Sequence, residues 1–228
     1  MAGMTAEDLQ EDLAPASRRS RKGVPGQSQP RPATYTVTIE TTVTEELARE
    51  FFALYLDTFA DLRTRAVARH VLHEDEFMEE MFDERVLKYV AWDDRGQAAA
   101  MCTLTNHLET IPWISPQYFA HHYPEHTARQ AVYYLGFVLV AHEHRRGYVF
   151  VDLVRRFSET LLEERAMCGY DFCSFNNDVL GLPDAIGKML ADLGDISVHQ
   201  LDIQTYYAAV AHGPHKMPGM PPQARSRS

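Results

Sequence analysis

The sequence is short of basic charge, of cysteine and of long hydrophobic runs, and each shortage argues against a class of function. Lys and Arg number 22 against 32 Asp and Glu, a net charge of −10. Nucleic-acid-binding domains carry a basic excess, so no nucleic-acid partner is expected. The three cysteines, Cys102, Cys168 and Cys173, are odd in number and form no Cys-x-x-Cys pair. That argues against a disulfide framework and a thiolate zinc site, and it points to a reducing cytoplasm. The longest apolar run, 131–141, is too short to cross a bilayer. No apolar signal core follows the first methionine, where Glu7, Asp8, Glu11 and Asp12 lead into Arg18, Arg19, Arg21 and Lys22. A cytoplasmic chain without membrane contact is the expectation.

Residues 1–33 and 212–228 are rich in Pro, Gly, Ser and Gln or in blocked charge, and they read as disordered tails around one domain over 34–211. Within that domain the patterns alternate. "TYTVTIETTV" (34–43) alternates β-branched and polar residues as a half-buried strand does. Leu47, Phe51, Leu54, Tyr55 and Phe59 then recur at helical spacing, with Thr42 and Glu45 as the expected capping box. An acidic helix is predicted over 74–83. "VLKYVAW" and "QAAAMCTLTN" flank Asp93-Asp94-Arg95-Gly96 as a hairpin, and 107–130 reads as an irregular, partly helical insertion. A buried strand over 131–141, an amphipathic helix from about 150, a strand "YDFCSF", a helix within 183–193 and one or two strands in "ISVHQLDIQTYYAAV" complete the pattern. The fold class is α/β (α+β), a mixed sheet flanked by helices.

The junction "HEHRRGYVFVDLV" (142–154) is the stretch richest in chemistry. It joins a buried strand to a helix whose first turn has unpaired N–H groups and a partial positive charge. Gly147 lets a backbone approach a phosphate, and the forked donors of Arg145 and Arg146 suit phosphate oxygens. A solvated basic turn is the plainer reading of Arg-Arg-Gly, and the flanking strand and helix favour the phosphate. His142-x-His144 with Glu143 has no third ligand at a recognisable spacing, so no metal is expected.

This strand–loop–helix unit and the elements after it resemble the GNAT superfamily of acyl-CoA-dependent N-acetyltransferases. The family signature, Q/R-x-x-G-x-G/A, falls on His144-Arg145-Arg146-Gly147-Tyr148-Val149, with His in place of Gln or Arg and Val in place of Gly or Ala. The resemblance in element order runs from about 34 to 210, and the signature itself covers about twenty residues. It implies a GNAT-like, mostly antiparallel sheet and acetyl-CoA or another acyl-CoA as donor. Phe137, Val138 and Leu139 would line the pantetheine arm, and the amides of Arg145, Arg146, Gly147, Tyr148, Val149 and Phe150 would hold the pyrophosphate. Asn176 and Asn177 would stand near the cofactor.

The implied chemistry is direct acyl transfer to an amine or amino-acid-like acceptor, with a base for the amine and an acid for the thiolate. The family's usual tyrosine acid has no counterpart, because Met189 and Leu190 occupy its place. The candidates are Tyr133 and Tyr134 in the central strand, His107 and Glu109 after the hairpin, and Glu143. Strand aromatics and surface polar residues are their plainer readings. Trp113, Tyr118, Phe119 and Tyr123 in the insertion could cover a large acceptor or a long acyl chain, or pack on the core or against a second copy in a homodimer. Arg145, Arg146, Arg155 and Arg156 would offer a basic patch to an acyl carrier protein in a carrier-dependent synthase. A non-catalytic acyl-CoA-binding protein is the other alternative.

Overall fold

The structure, a computed structural model, describes residues 35–67, 71–145 and 148–213. The chain divides into two units, Met1–Val198 and His199–Ser228. The predicted tails fall almost wholly on 1–34 and 214–228, outside the described residues.

In the first unit the strands are β1 (Thr36–Glu40), β2 (Leu87–Trp92), β3 (Ala98–Thr105), β4 (Val132–Val140) and β5 (Met167–Gly169). They form one sheet in the order β1-β2-β3-β4-β5, antiparallel except for the parallel β4–β5 pair. The helices are α1 (Glu45–Phe59), α2 (Leu62–Arg65), α3 (Glu74–Phe82), α4 (Pro116–His122), α5 (Pro124–Ala128), α6 (Val149–Glu163) and α7 (Leu182–Leu193). This is the mixed, mostly antiparallel, GNAT-like sheet between helices that the resemblance implies, and at the level of fold the resemblance holds.

The two faces of the sheet carry separate cores. Tyr89, Cys102, Leu104, Val138 and Val140 pack with Phe150, Leu153 and Phe157 of α6 and Ile186 and Leu190 of α7. On the other face Val90, Met101, Phe137 and Leu139 meet Ala48, Phe51, Tyr55 and Phe59 of α1 and Phe77 and Met81 of α3. The even and odd positions of β2 go to different faces, as strand geometry requires.

β4 breaks that alternation. Opposite β3, Cys102 pairs with Val138 and Leu104 with Leu135, so two steps on β3 face three on β4. This bulge lies at Gly136–Phe137 and turns the following side chains to the other face. An alanine Cβ at Gly136 would stand 2.5 Å from Thr103 Oγ1 and 3.5 Å from Glu80 Oε1. Gly136 thus lets a threonine of β3 and a carboxylate of α3 close against the backbone of β4.

Several sequence expectations are corrected here. The first helix is capped by Thr44, whose Oγ1 accepts the Leu47 amide at 3.2 Å, and not by Thr42. The strand after α6 is Met167–Gly169 instead of "YDFCSF"; Ser174 and the π-type turn Phe175–Val179 follow it. The "ISVHQLDIQTYYAAV" segment forms no strand. In the second unit, residues 199–213 form neither helix nor strand, and Ile203, Tyr207 and Val210 are exposed. Alternation supplies a strand's faces, but a strand exists only where its backbone pairs.

Candidate active site

β4 and β5 pair only from Val132↔Met167 to Tyr134↔Gly169 and then part. Beyond Tyr134, the β5-facing side of β4 therefore has no strand partner over 136–140. Phe137, Val138 and Leu139 lie on this stretch with their side chains buried. Phe137 is locked among Tyr55 and Phe77, with ring centroids 5.2 and 5.6 Å away. The side chains fix the strand and leave its backbone groups to serve whatever enters the gap.

The gap leads to the loop after β4. Arg146 and Gly147 lie outside the described residues, and Arg145 is turned inward. Its Nε donates to the Val140 carbonyl at 3.3 Å, and its Nη2 lies 3.5 Å from Asp57 Oδ2 on α1. His142 Nε2 is 3.1 Å from the same oxygen, whereas His144 Nδ1 is 3.0 Å from Tyr35 Oη. The two imidazoles thus serve different partners and do not converge. Among the described residues no group of three His, Cys, Asp or Glu could hold a metal ion. Tyr148 stands at the N-cap of α6, and Val149 and Phe150 are buried. The branched side chain of Val149 points into the α6-face core, away from any ligand of its own amide. Arg155 and Arg156 pair within α6, with Asp152 at 3.0 Å and Glu159 at 3.2 Å.

In the turn after β5, Asn176 is buried with its Oδ1 unpartnered, while Asn177 is exposed and donates to Asp178 Oδ1 at 2.7 Å. An orphaned buried acceptor has room for a donor, and the amides of a pantetheine arm are donors.

Strand alternation separates the two candidate tyrosines. Tyr133 lies on the α6 face and its Oη donates to Glu164 Oε2 at 2.9 Å. Tyr134 takes the opposite face and donates to Asp171 Oδ1 at 2.6 Å. Burial, then the carboxylate partner, pushes both phenols well up. Trp113 stands near the Tyr134 hydroxyl, so the insertion reaches this face, and a Cβ on Gly169 would strike the Tyr134 ring at 2.9 Å. His107 is half-buried and Glu109 exposed, and they pair with each other at 3.2 Å. Glu143 is exposed.

Glu80 and Lys88 were not visible as site residues in the sequence. Lys88 of β2 is fully buried, and its Nζ donates to the carbonyls of Thr41 and Asp83 at 2.8 Å each. Burial lowers it to about 8, against the pull of Glu80 and Asp83. Burial raises the Glu80 carboxyl to about 7, opposed by the Thr103 hydroxyl and Lys88. Glu80 Oε1 and Thr103 Oγ1 are both buried without a well-formed hydrogen bond, although Glu80 as a whole keeps partial solvent access. One signal could have found Glu80: it lies three residues after Phe77 and next to Met81, on the apolar side of an acidic helix.

No protein-family model and no curated protein matches this chain. Solved structures similar to it include a probable acetyltransferase, at 14% identity and a TM-score of 0.46, covering 77% of this chain and 98% of that one. Another is the aminoglycoside antibiotic 6'-N-acetyltransferase AAC(6')-Ih from Acinetobacter baumannii, at 16% identity and a TM-score of 0.45, covering 78% and 99%. A third is a ribosomal-protein-alanine N-acetyltransferase from Brucella melitensis biovar Abortus, at 13% identity and a TM-score of 0.41, covering 75% and 100%. Among the described residues no helix is long and apolar enough to cross a membrane.

Proposed function

We infer that this chain is a GNAT-type N-acyltransferase that moves an acetyl or longer acyl group from acyl-CoA to an amine. The observation that carries this reading is the parting of β4 and β5 after Tyr134↔Gly169. It leaves an open backbone edge that runs straight into the loop before α6. A pantetheine arm is a chain of amides, and it would continue the sheet along 136–140 as a short strand does. Its pyrophosphate would then meet the first turn of α6, where backbone N–H groups are free and the helix end is partly positive. Arg145 would hold the loop against Val140 and Asp57, and the orphaned Asn176 Oδ1 would accept from an amide of the arm. Gly147, Tyr148, Val149 and Phe150 would give main-chain amides.

The acceptor would approach from the α3 face, where Tyr134, Trp113 and Glu80 lie, instead of the α6 face, which helix packing fills. A carrier-protein donor is disfavoured by the placement of its proposed basic patch, since Arg145 turns inward and Arg155 and Arg156 are paired along α6. The cytoplasm, which supplies acyl-CoA, is the proposed compartment.

Titration of the full chain with acetyl-CoA in a calorimeter tests this reading. Saturable binding at micromolar concentration is expected, and Gly147→Glu, which brings bulk and negative charge to the pyrophosphate, is expected to abolish it. No binding of acetyl-CoA at high micromolar concentration would overturn it.

A further inference from the structure

The polar cluster beneath the β4 bulge is not explained by packing. Glu80 enters the α3 face of the sheet between Phe77 and Met81, both fully buried. A carboxylate in such a place has its charge disfavoured, and an apolar side chain would fill the space without that cost. Its Oε1 and the neighbouring Thr103 Oγ1 face each other without a well-formed hydrogen bond, although buried polar atoms in folded proteins almost always have one. Two such atoms side by side call for a third polar group, brought by water or by a ligand.

Their position says which ligand. Both atoms crowd the point above Gly136, within 3.5 Å of where its Cβ would be. Gly136 lies two residues along β4 from Tyr134, the last residue paired with β5, a separation of roughly 6.6 Å by strand rise. The cluster therefore lies over β4 just past the point where that strand parts from β5. Glu80 also keeps partial access to solvent, so it is not sealed in the core.

We propose that Glu80 is the general base of this site, taking the proton of the acceptor amine directly or through one water held between Glu80 Oε1 and Thr103 Oγ1. This rests on the acyltransferase reading above. The Glu80 carboxylate removes one proton from the acceptor's ammonium form. The freed nitrogen pair bonds the acyl carbon, and the carbon–sulfur bond breaks with its electrons left on sulfur. The second nitrogen proton ends on that thiolate, and Glu80 returns its own to solvent. Burial that raises the carboxyl to about 7 makes it a stronger base than an ordinary carboxylate. The charged groups facing it are Lys88 from β2, which favours the carboxylate, and Asp83 after α3, which opposes it. Thr103 and Gly136 contribute no charge.

The test uses the full chain with acetyl-CoA as donor and two small amines, glycinamide and ethylamine, at high concentration. CoA release is followed from pH 5.5 to 9. Glu80→Gln is expected to keep acetyl-CoA affinity within about twofold and to lose about 10²–10⁴-fold in rate, the usual worth of a positioned base. The wild type should show an acid limb near pH 7 that is absent in Glu80→Gln and present, displaced, in Glu80→Asp. A purely structural Glu80 would leave the limb in place. Should Glu80→Gln fail to fold, the Glu80→Asp limb is read instead, and its coincidence with the wild type overturns the proposal. A wild-type rate and pH profile retained in Glu80→Gln overturns the base assignment alone, as does acetyl-CoA binding without CoA release from the wild type. Failure of the wild type to bind acetyl-CoA overturns the acyltransferase reading and this assignment with it.

Discussion

Replacing Gly136 with Ala measures how tightly β3, α3 and β4 close at the bulge. The new Cβ would lie 2.5 Å from Thr103 Oγ1, far inside contact distance. Thr103 is β-branched and buried, so it has few rotamers into which to retreat, and the strand must move instead. Overpacking of this kind costs about 1–3 kcal/mol. Gly136 is not among the residues with positive φ, so alanine meets no backbone strain there. In Thr103→Ala the obstructing hydroxyl is gone, and the nearest remaining atom of those three is Glu80 Oε1 at 3.5 Å, an ordinary contact. Gly136→Ala in that background is then expected to stabilise, by about 0.4–1 kcal/mol, through a less flexible unfolded chain. The coupling between the two sites is the difference, about 1.5–4 kcal/mol, well above what independent sites show. Urea unfolding of the wild type, both single variants and the double variant gives the four stabilities. Equal effects of Gly136→Ala in the two backgrounds would refute the close approach and the account of the bulge built on it.

Two further outcomes follow from the same geometry. The Glu80 carboxyl lies at about 7 in the folded protein against 4.5 unfolded, so folding binds its proton and stability falls as pH rises from about 4.5 to 7. At about 1.4 kcal/mol per pH unit this amounts to at most about 3.5 kcal/mol, trimmed by the partial solvent access of the group. Glu80→Gln should therefore gain stability over the wild type across that window and hold a constant advantage above it, which urea unfolding at pH 5 and 8 reads directly. Tyr133→Phe and Tyr134→Phe each remove a hydroxyl bonded to a carboxylate, at 2.9 and 2.6 Å, and each should lose about 1.5–3 kcal/mol of stability. Acyl transfer to glycinamide should fall only in Tyr134→Phe, because Tyr133 faces α6; an equal loss in both would contradict that placement.

What could be read from the sequence is what local pattern determines. The β2–β3 hairpin, the long first helix and the β4–loop–α6 unit each have a clear period and end signal, and each forms close to its expected bounds. β5 was misplaced because three paired residues carry no period, and its position is set by β4 beside it. The strand pattern in 196–210 was real as a pattern but has no paired edge. At the site, the strand–loop–helix junction was visible through the motif, but the parting of β4 from β5 was not. Nor was the inward turn of Arg145, since nothing near it in sequence announces Asp57, 88 residues earlier in the chain. Glu80 was hidden for a related reason: it is one of several carboxylates in "EDEFMEEMFDE", and its helical spacing from Phe77 is the one local mark that sets it apart before α3 packs on the sheet.

The extra residue in β4 acts as a phase shifter. The strand is two half-strands read in opposite phase, Tyr133 and Leu135 sharing a face with Val138 and Val140 across an odd count. Were the bulge ironed out with Gly136 kept in the ladder and the later half held in place, the earlier half would rotate by one position. Tyr134 would go to α6 and Tyr133 to the α3 face, whereas deleting Gly136 would leave both tyrosines on their present faces. Which tyrosine takes the α3 face is thus set by whether a residue with no side chain stands in the ladder or outside it, and an alignment that slides a single gap through this strand would assign the wrong one.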